Sequence, residues 1–170
     1  MSDDLVLTTA HTLRGAESIT VTDGATEVEA TIVAFDPNLD LAYLTADLPG
    51  RPLDVDSSSL EAGDVGRAWV VRRGEAVPID VTVARRIELR TEDIYVEGET
   101  VRPGLELAGS IEPGDSGGAV VVDGRVVGVV WARSRRSDDR AYAIDPDRGG
   151  DRINEQLRSG DLGDVDLTRC

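Results

Sequence analysis

A glycine-rich stretch in the second half of the chain, "IEPGDSGGAV" at residues 111–120, holds one serine among residues that favour turns. Ser116 carries the hydroxyl that acyl transfer needs as a nucleophile, and the backbone N–H groups of Gly114 and Ser116 are candidates for binding the oxygen that becomes negative. Gly117 and Gly118 would leave room for a substrate backbone. Taken alone, the same residues also fit an ordinary hairpin turn.

A serine hydroxyl becomes a good nucleophile only beside a base, and His11 in "LVLTTAHTLRG" is the only histidine of the chain. The histidine in turn needs a carboxylate to orient it, and "FDPNLDLAYL" offers Asp36 and Asp40. Asp40 directly precedes an alternating apolar segment, which would fix it at a strand edge. We therefore prefer Asp40 and keep Asp36 as the alternative. Taken alone, His11 also fits a structural role, since a lone histidine is more often structural than catalytic.

Composition argues against several other functions. Asp36, Asn38 and Asp40 imitate the start of a calcium loop, but Leu41 stands where that loop needs glycine. One histidine and one cysteine give no ligand cluster for zinc or redox work. A formal net charge of −15 repels nucleic acid phosphates and anionic membranes. We expect no metal, no organic cofactor and no nucleic-acid partner.

Short apolar runs separated by turn residues predict an all-β protein with one helix. The helix is expected at "DRINEQLRSG" (151–160), and a hairpin is expected around Asp123-Gly124 in "VVVDGRVVGVV". The predicted strands are 5–9, 18–22, 28–35, 39–44, 65–72, 77–89, 93–97, 105–109, 118–134 and 140–145.

The strands fall into two sets, which suggests two small antiparallel barrels or a sandwich with a site between the lobes. We assign residues 1–48 to the first lobe and 49–65 to the connection, because that stretch is rich in Pro, Gly, Ser and acidic residues without a period. Residues 66–146 form the second lobe, and 147–170 the C-terminal helix and tail. Together they make one domain.

Three motifs resemble those of the trypsin-like serine proteases, in the same order: "TTAH", "LDLAYL" and "PGDSGGAVV". "IVAFDPNLDLAYL" and "GRVVGVVWARS" are similar to the actinobacterial membrane-anchored serine proteases of acid resistance, within the compact bacterial HtrA-like branch. The resemblance implies a chymotrypsin-like fold of two six-strand-type barrels. It also implies a serine endopeptidase that forms an acyl-enzyme, with His11 as base, Asp40 as its orienter, Ser116 as nucleophile, and the Gly114 and Ser116 amides as oxyanion hole.

The resemblance further implies that "VVWAR" is the strand along which a protein or peptide substrate pairs, so Val130, Trp131 and Ala132 are expected to bind substrate. Trp131 as an ordinary core residue is an equal alternative. Ser110, six residues before the nucleophile, would form the floor of the primary specificity pocket. Its neutral hydroxyl suggests a small or apolar side chain before the cut.

Some features depart from the resembled pattern. Only ten residues precede His11, where family members carry two further strands, so the first barrel is predicted to be N-terminally truncated. The resemblance makes Cys170 half of a disulfide with an upstream cysteine that this sequence lacks. Asp115 stands where many bacterial relatives have Asn, and we expect an arginine to pair with it. The alternative function is a catalytically impaired trypsin-like fold that acts as a peptide-binding or regulatory module.

The sequence has neither a signal-peptide pattern nor an apolar stretch of membrane-spanning length. We expect a periplasmic or cell-surface location if the chain is a fragment of a protein of the resembled family, and a cytoplasmic one if it is complete as written. A membrane would be reached only through a segment outside this chain.

Overall fold

The computed structural model describes residues 5–148, 150–162, 165 and 167. The strands and helices in this part of the chain are β1 (Leu5–Thr8), a 3-10 helix (Ala10–Leu13), β2 (Thr20–Thr22), β3 (Glu27–Glu29), β4 (Thr31–Asp36), β5 (Leu41–Thr45), β6 (Val65–Arg72), β7 (Glu75–Glu92), β8 (Glu99–Ala108), β9 (Ala119–Val122), β10 (Arg125–Arg133), β11 (Arg140–Ile144) and α1 (Asp151–Ser159).

The last six strands close into an antiparallel barrel in the order β10-β11-β8-β7-β6-β9. Alternate residues point inward, and apolar side chains such as Val70, Val83 and Val120 fill the barrel. The turn between β9 and β10 has Asp123 at φ 49° and Gly124 at φ 77°, the left-handed pair that a two-residue type I′ turn requires. The predicted hairpin and the second barrel are therefore confirmed.

The first lobe is an open sheet rather than a closed barrel. Its three strands lie in the order β1-β5-β4, and β2 and β3 form a separate hairpin. The core beneath them contains Phe35, Ala42 and Leu44. Among the described residues β1 pairs only with β5, so β1 is an edge strand. Within the described residues this sheet therefore ends at β1, the strand that leads to His11.

A long hairpin of β7 and β8 joins the two lobes. Its strands pair as far as Glu92 and Glu99, and the tip carries Ile94, 5% exposed, into the core of the first lobe. The Ile94 N–H donates to the Pro37 carbonyl (3.2 Å), and Arg14 Nη1 donates to the Ile94 carbonyl (2.6 Å). The tip of this hairpin therefore forms part of the core of the first lobe and fixes that lobe to the barrel.

The strand predicted at "DIYVE" (93–97) is wrong, because these residues form the turn of this hairpin. Asp93 Oδ1 accepts the N–H of Tyr95 at 2.8 Å, which is the local bond by which aspartate favours turns. Val96 has φ 62°, a left-handed conformation that a strand does not contain.

The stretch between β5 and β6 contains no helix or strand, only an isolated bridge from Val55 to Val126. Ser57 anchors it, because its hydroxyl donates to Asp145 Oδ1 at 2.8 Å and Arg86 Nη1 lies 2.6 Å from Asp145 Oδ2. Burial raises the pKa of Asp145, against the opposing effects of Ser57 and Arg86. This buried cluster fixes the stretch to the barrel.

The predicted helix is confirmed as α1, which ends at Gly160 in the left-handed conformation (φ 72°). Ile153 is buried, and Gln156 Oε1 accepts the Phe35 N–H at 2.9 Å, so the helix packs on β4. No helix in the described part of the chain is long and apolar enough to cross a membrane. Cys170, predicted to be half of a disulfide, lies outside the described residues.

Candidate active site

His11 and Asp40 are in direct contact. His11 lies in the 3-10 helix after β1, and Asp40 ends the turn between β4 and β5. His11 Nδ1 is 2.8 Å from Asp40 Oδ2, and the His11 backbone N–H donates to Asp40 Oδ1, also at 2.8 Å. The carboxylate therefore holds both the backbone and the ring of the histidine, and the ring is left with Nε2 free of hydrogen bonds among the described residues.

Asp36 shapes the turn that presents Asp40. Its Oδ1 accepts the N–H groups of Asn38 (2.8 Å) and Leu39 (3.1 Å), and its carbonyl accepts the Asp40 N–H (2.8 Å). Asp40 itself has φ 61°, a left-handed conformation that aspartate tolerates better than most residues. Of the two carboxylates that the sequence left open, Asp40 contacts the histidine and Asp36 builds its support.

Trp131 contributes a further donor to Asp40. The register of β10 against β11 shifts between Val130 and Ala132, so Trp131 sits at a β-bulge, a feature that re-aims side chains beside active sites. Its indole Nε1 donates to Asp40 Oδ2 at 2.8 Å. The Trp131 side chain therefore lies against the orienting carboxylate, a position that neither sequence-based interpretation of this residue anticipated.

The loop around Ser116 leaves the serine half-buried and bends at two glycines. Gly114 and Gly117 have φ of 100° and 89°, which only glycine adopts without strain. Among the described residues the N–H groups of Gly114 and Ser116 donate no hydrogen bond within the chain. Ser116 Oγ donates to the Trp131 carbonyl at 3.2 Å and forms no hydrogen bond with His11.

The residue before the serine is tied down by an arginine, as expected. Asp115 is 2% exposed, and Arg72 Nη2 and Nε lie 2.7 and 3.1 Å from its two carboxylate oxygens. The Glu112 N–H adds a third bond to Asp115 (2.7 Å). Burial alone would raise the pKa of Asp115, but the bonds from Arg72 and Glu112 outweigh it, so this pKa lies below its usual value. The sequence did not indicate which arginine this would be.

The residues predicted to bind substrate lie on two elements. β9 pairs with β10 only as far as Val129, so beyond that residue β10 is paired with β11 on one side. Val130 has its side chain in the barrel core and its backbone bonded to Gly117 and Gly118. Ser110 is exposed, and its carbonyl accepts Arg72 Nη2 at 3.2 Å. The substrate-binding roles of Ser110, Val130, Trp131 and Ala132 stay predictions.

The structure has the parts of a trypsin-like peptidase. These are a six-stranded barrel, a second lobe, and a histidine, a carboxylate and a serine loop between them. Residues 1–129 match the family described as trypsin-like peptidase domain, and the chain belongs to this family.

Several bacterial proteins are similar to this chain. Serine protease Rv3671c of Mycobacterium tuberculosis is 34% identical over 148 residues, which cover 85% of this chain and 37% of that protein. A Halomonas elongata protein named "Probable periplasmic serine endoprotease DegP-like" is 31% identical over 170 residues, covering 92% of this chain and 33% of that protein. This chain therefore spans about a third of the length of these relatives.

A solved structure confirms the chymotrypsin-like fold. The crystal structure of the Rv3671c protease from M. tuberculosis in its active form superposes with a TM-score of 0.86 at 27% identity. The superposition covers 100% of this chain and 75% of that chain.

Proposed function

We propose that this chain is a serine endopeptidase, with Ser116 as nucleophile, His11 as general base and Asp40 as the carboxylate that orients the base. The observation that carries the proposal is the 2.8 Å contact between His11 Nδ1 and Asp40 Oδ2. This contact fixes the tautomer in which Nδ1 holds a proton, so Nε2 is left as the basic nitrogen. The names of the similar proteins support the same activity.

In the proposed reaction, Ser116 Oγ bonds to the carbonyl carbon of the scissile peptide while its proton passes to His11 Nε2. The carbonyl oxygen becomes negative and accepts hydrogen bonds from the uncommitted N–H groups of Gly114 and Ser116. The C–N bond then breaks as Nε2 returns the proton to the leaving amine. Water attacks the resulting ester by the same route, and Asp40 keeps its hydrogen bond to His11 Nδ1 throughout.

Before this reaction the Ser116 hydroxyl must leave the Trp131 carbonyl, its hydrogen-bond acceptor in this structure. Rotation about the Cα–Cβ bond turns the hydroxyl to another staggered position without moving the backbone. It would also free the Trp131 carbonyl to accept an N–H from an extended peptide lying along residues 130–132. In this proposal the substrate is a protein or peptide, and Ser110 lies at the pocket for the residue before the cut.

The second candidate function is a peptide-binding or regulatory module without covalent chemistry. The hydrogen bond of Ser116 to Trp131 rather than to His11 favours it, and so does the open first sheet beside His11. If Ser116 and His11 stay apart, the protein would bind peptides and release them uncut.

Labelling with a fluorophosphonate probe between pH 5 and 9 separates the two functions, with far-UV circular dichroism to establish that each protein is folded. We expect the wild type to be labelled at Ser116, and labelling to vanish in Ser116→Ala and His11→Ala. Ser137→Ala, a change in an exposed loop, is the matched control and should be labelled like the wild type. A folded wild type that binds peptides but is not labelled would favour the binding module.

A further inference from the structure

A buried arginine lies behind the proposed catalytic carboxylate. Arg102, on β8, is 2% exposed, and its Nη1 is 3.7 Å from Asp40 Oδ2. Its guanidinium carbon lies 5.3 Å from the centre of the Trp131 ring, within the range of a cation–π contact. A buried arginine without a strong structural reason is rare, because removing the cation from water is costly.

The rest of the guanidinium is bound to backbone carbonyls of two segments. Nε donates to the Asn38 carbonyl (2.5 Å), in the turn that ends at Asp40, and Nη2 donates to the Glu92 carbonyl (3.0 Å), near the end of β7. Nη2 also lies 3.4 Å from the Pro37 carbonyl. The planar fork therefore links the Asp40 turn to the long hairpin, which lysine with its single nitrogen could not do.

Three side-chain nitrogens converge on one carboxylate oxygen of Asp40. Asp40 Oδ2 is approached by His11 Nδ1 and Trp131 Nε1, both at 2.8 Å, and by Arg102 Nη1. The arginine remains a cation here: burial lowers its pKa, while Asp40, Asp93 and Asp36 raise it in part. Its position under the indole ring limits where Trp131 can move.

We propose that Arg102 and Trp131 are a pair of positioning residues, which hold the Asp40 carboxylate in the orientation that aligns His11. Arg102 fixes the turn from behind, and Trp131 fixes Oδ2 from the side with its indole N–H. Among the described residues neither side chain forms a hydrogen bond with Ser116, and the contact of Trp131 with Ser116 Oγ is made by its backbone carbonyl. The inference rests on the proposed function, since it assigns roles that serve the same histidine and serine.

The chain's single histidine allows this to be tested without relying on activity. A histidine ring N–H bonded to a carboxylate gives a low-field proton resonance in NMR, and here a histidine signal can come only from His11. We expect this resonance in the wild type and its loss or broadening in Arg102→Lys, which keeps the charge but not the fork. The same should hold for Trp131→Phe, which keeps an aromatic ring but removes the indole N–H.

In these two variants we also expect the rate of fluorophosphonate labelling at Ser116 to fall at least about tenfold. Arg85→Met is the matched control, because Arg85 pairs with Glu106 across the same two strands but is exposed. It should leave both readouts unchanged. Trp131→Phe keeps the inference testable if Arg102→Lys does not fold.

The inference is overturned if folded Arg102→Lys and Trp131→Phe keep both the resonance and the labelling rate of the wild type. It is also overturned if only Arg102→Met, and not Arg102→Lys, is affected, since charge alone would then explain the effect. A folded wild type that shows the resonance but is never labelled contradicts the proposed function instead.

Discussion

Arg72 and Asp115 form a two-nitrogen ion pair directly beside Ser116, with Nη2 at 2.7 Å and Nε at 3.1 Å from separate carboxylate oxygens. Asp115 is buried, and its neighbour Gly114 is one of the two residues whose N–H groups are proposed to receive the oxyanion. The pair ties β6 of the barrel to the serine loop. The shape of the loop therefore depends on a contact that is internal to this chain.

Replacing Arg72 with methionine should disorder the serine loop, because it leaves a buried carboxylate without its cation. We expect fluorophosphonate labelling at Ser116 to slow by about tenfold or more. Arg67→Met is the matched control on the same strand, since its pair with Asp80 is exposed on both sides. Equal labelling rates for the two variants would mean that the ion pair does not hold the loop.

The same pair should make stability depend on pH. The pKa of Asp115 is lowered in the folded protein from its ordinary value of 3.8, so the folded state binds this proton less tightly than the unfolded state. The resulting stability is fully present above pH 3.8 and is lost as pH falls through the lower folded value.

Urea unfolding at pH 7, 5, 4 and 3 measures this effect. The difference in free energy of unfolding between wild type and Arg72→Met should be largest at pH 7 and should shrink as pH falls, because without Arg72 burial raises the pKa of Asp115 and protonation relieves the unpaired charge. The other carboxylates titrate in both proteins, so they largely cancel in the difference. A difference that stays constant down to pH 3 would contradict the assignment of the shift to Asp115.

Thr9, two residues before His11, carries a buried hydroxyl with no hydrogen-bond partner among the described residues. Thr9→Val removes this polar group at nearly constant shape, so we expect unchanged stability or a gain of up to about 1 kcal/mol. Thr12→Val is the control, because the Thr12 hydroxyl donates to the Thr9 carbonyl at 2.7 Å and its loss should cost about 0.5–1 kcal/mol. A clear loss of thermal stability in Thr9→Val would point to a partner such as an ordered water.

Gly118 is required by packing rather than by its backbone angles. A Cβ there would lie 2.7 Å from the Trp69 carbonyl oxygen and 2.8 Å from Val70 Cγ1. Gly118→Ala should therefore destabilise the protein by about 1–3 kcal/mol and displace the serine loop, which slows labelling. Gly50→Ala, where a Cβ meets nothing within 4 Å, should be close to neutral in chemical denaturation. Equal stability of both variants would contradict this account.

Much of the barrel was predictable from local chemistry. The Asp123-Gly124 turn and the end of α1 at Gly160 follow from residues that tolerate left-handed angles. "DIYVE" misled because Ile94 is buried at the tip of a hairpin rather than by strand pairing, while Val96 is 63% exposed. Periodicity does not distinguish an apolar turn inserted into another lobe from a short strand.

The site was predictable only in part. With one histidine in the chain, a contact between His11 and one of two nearby carboxylates could be expected. The burial of Arg102 could not be expected. Counting alternate residues from Leu105 and Leu107 places Val101 on the inner face of the barrel and Arg102 on the outer face. In the structure Arg102 is 2% exposed and Val101 46% exposed, because the turn at Asn38 and the Trp131 ring cover Arg102 from other parts of the chain.

The β7–β8 hairpin also bears on the order in which the chain is expected to fold. Its strands are adjacent in sequence, so closing it costs little loop entropy, and hairpins of this kind form within about 1–10 μs. The sheet of the first lobe instead pairs β1 with β5, as in Leu5 opposite Thr45, across a segment that contains the 3-10 helix and strands β2 to β4. Because that sheet is packed only once Ile94 has been delivered to it, the lobe that carries His11 is expected to reach its native state after the barrel, although it is synthesised first.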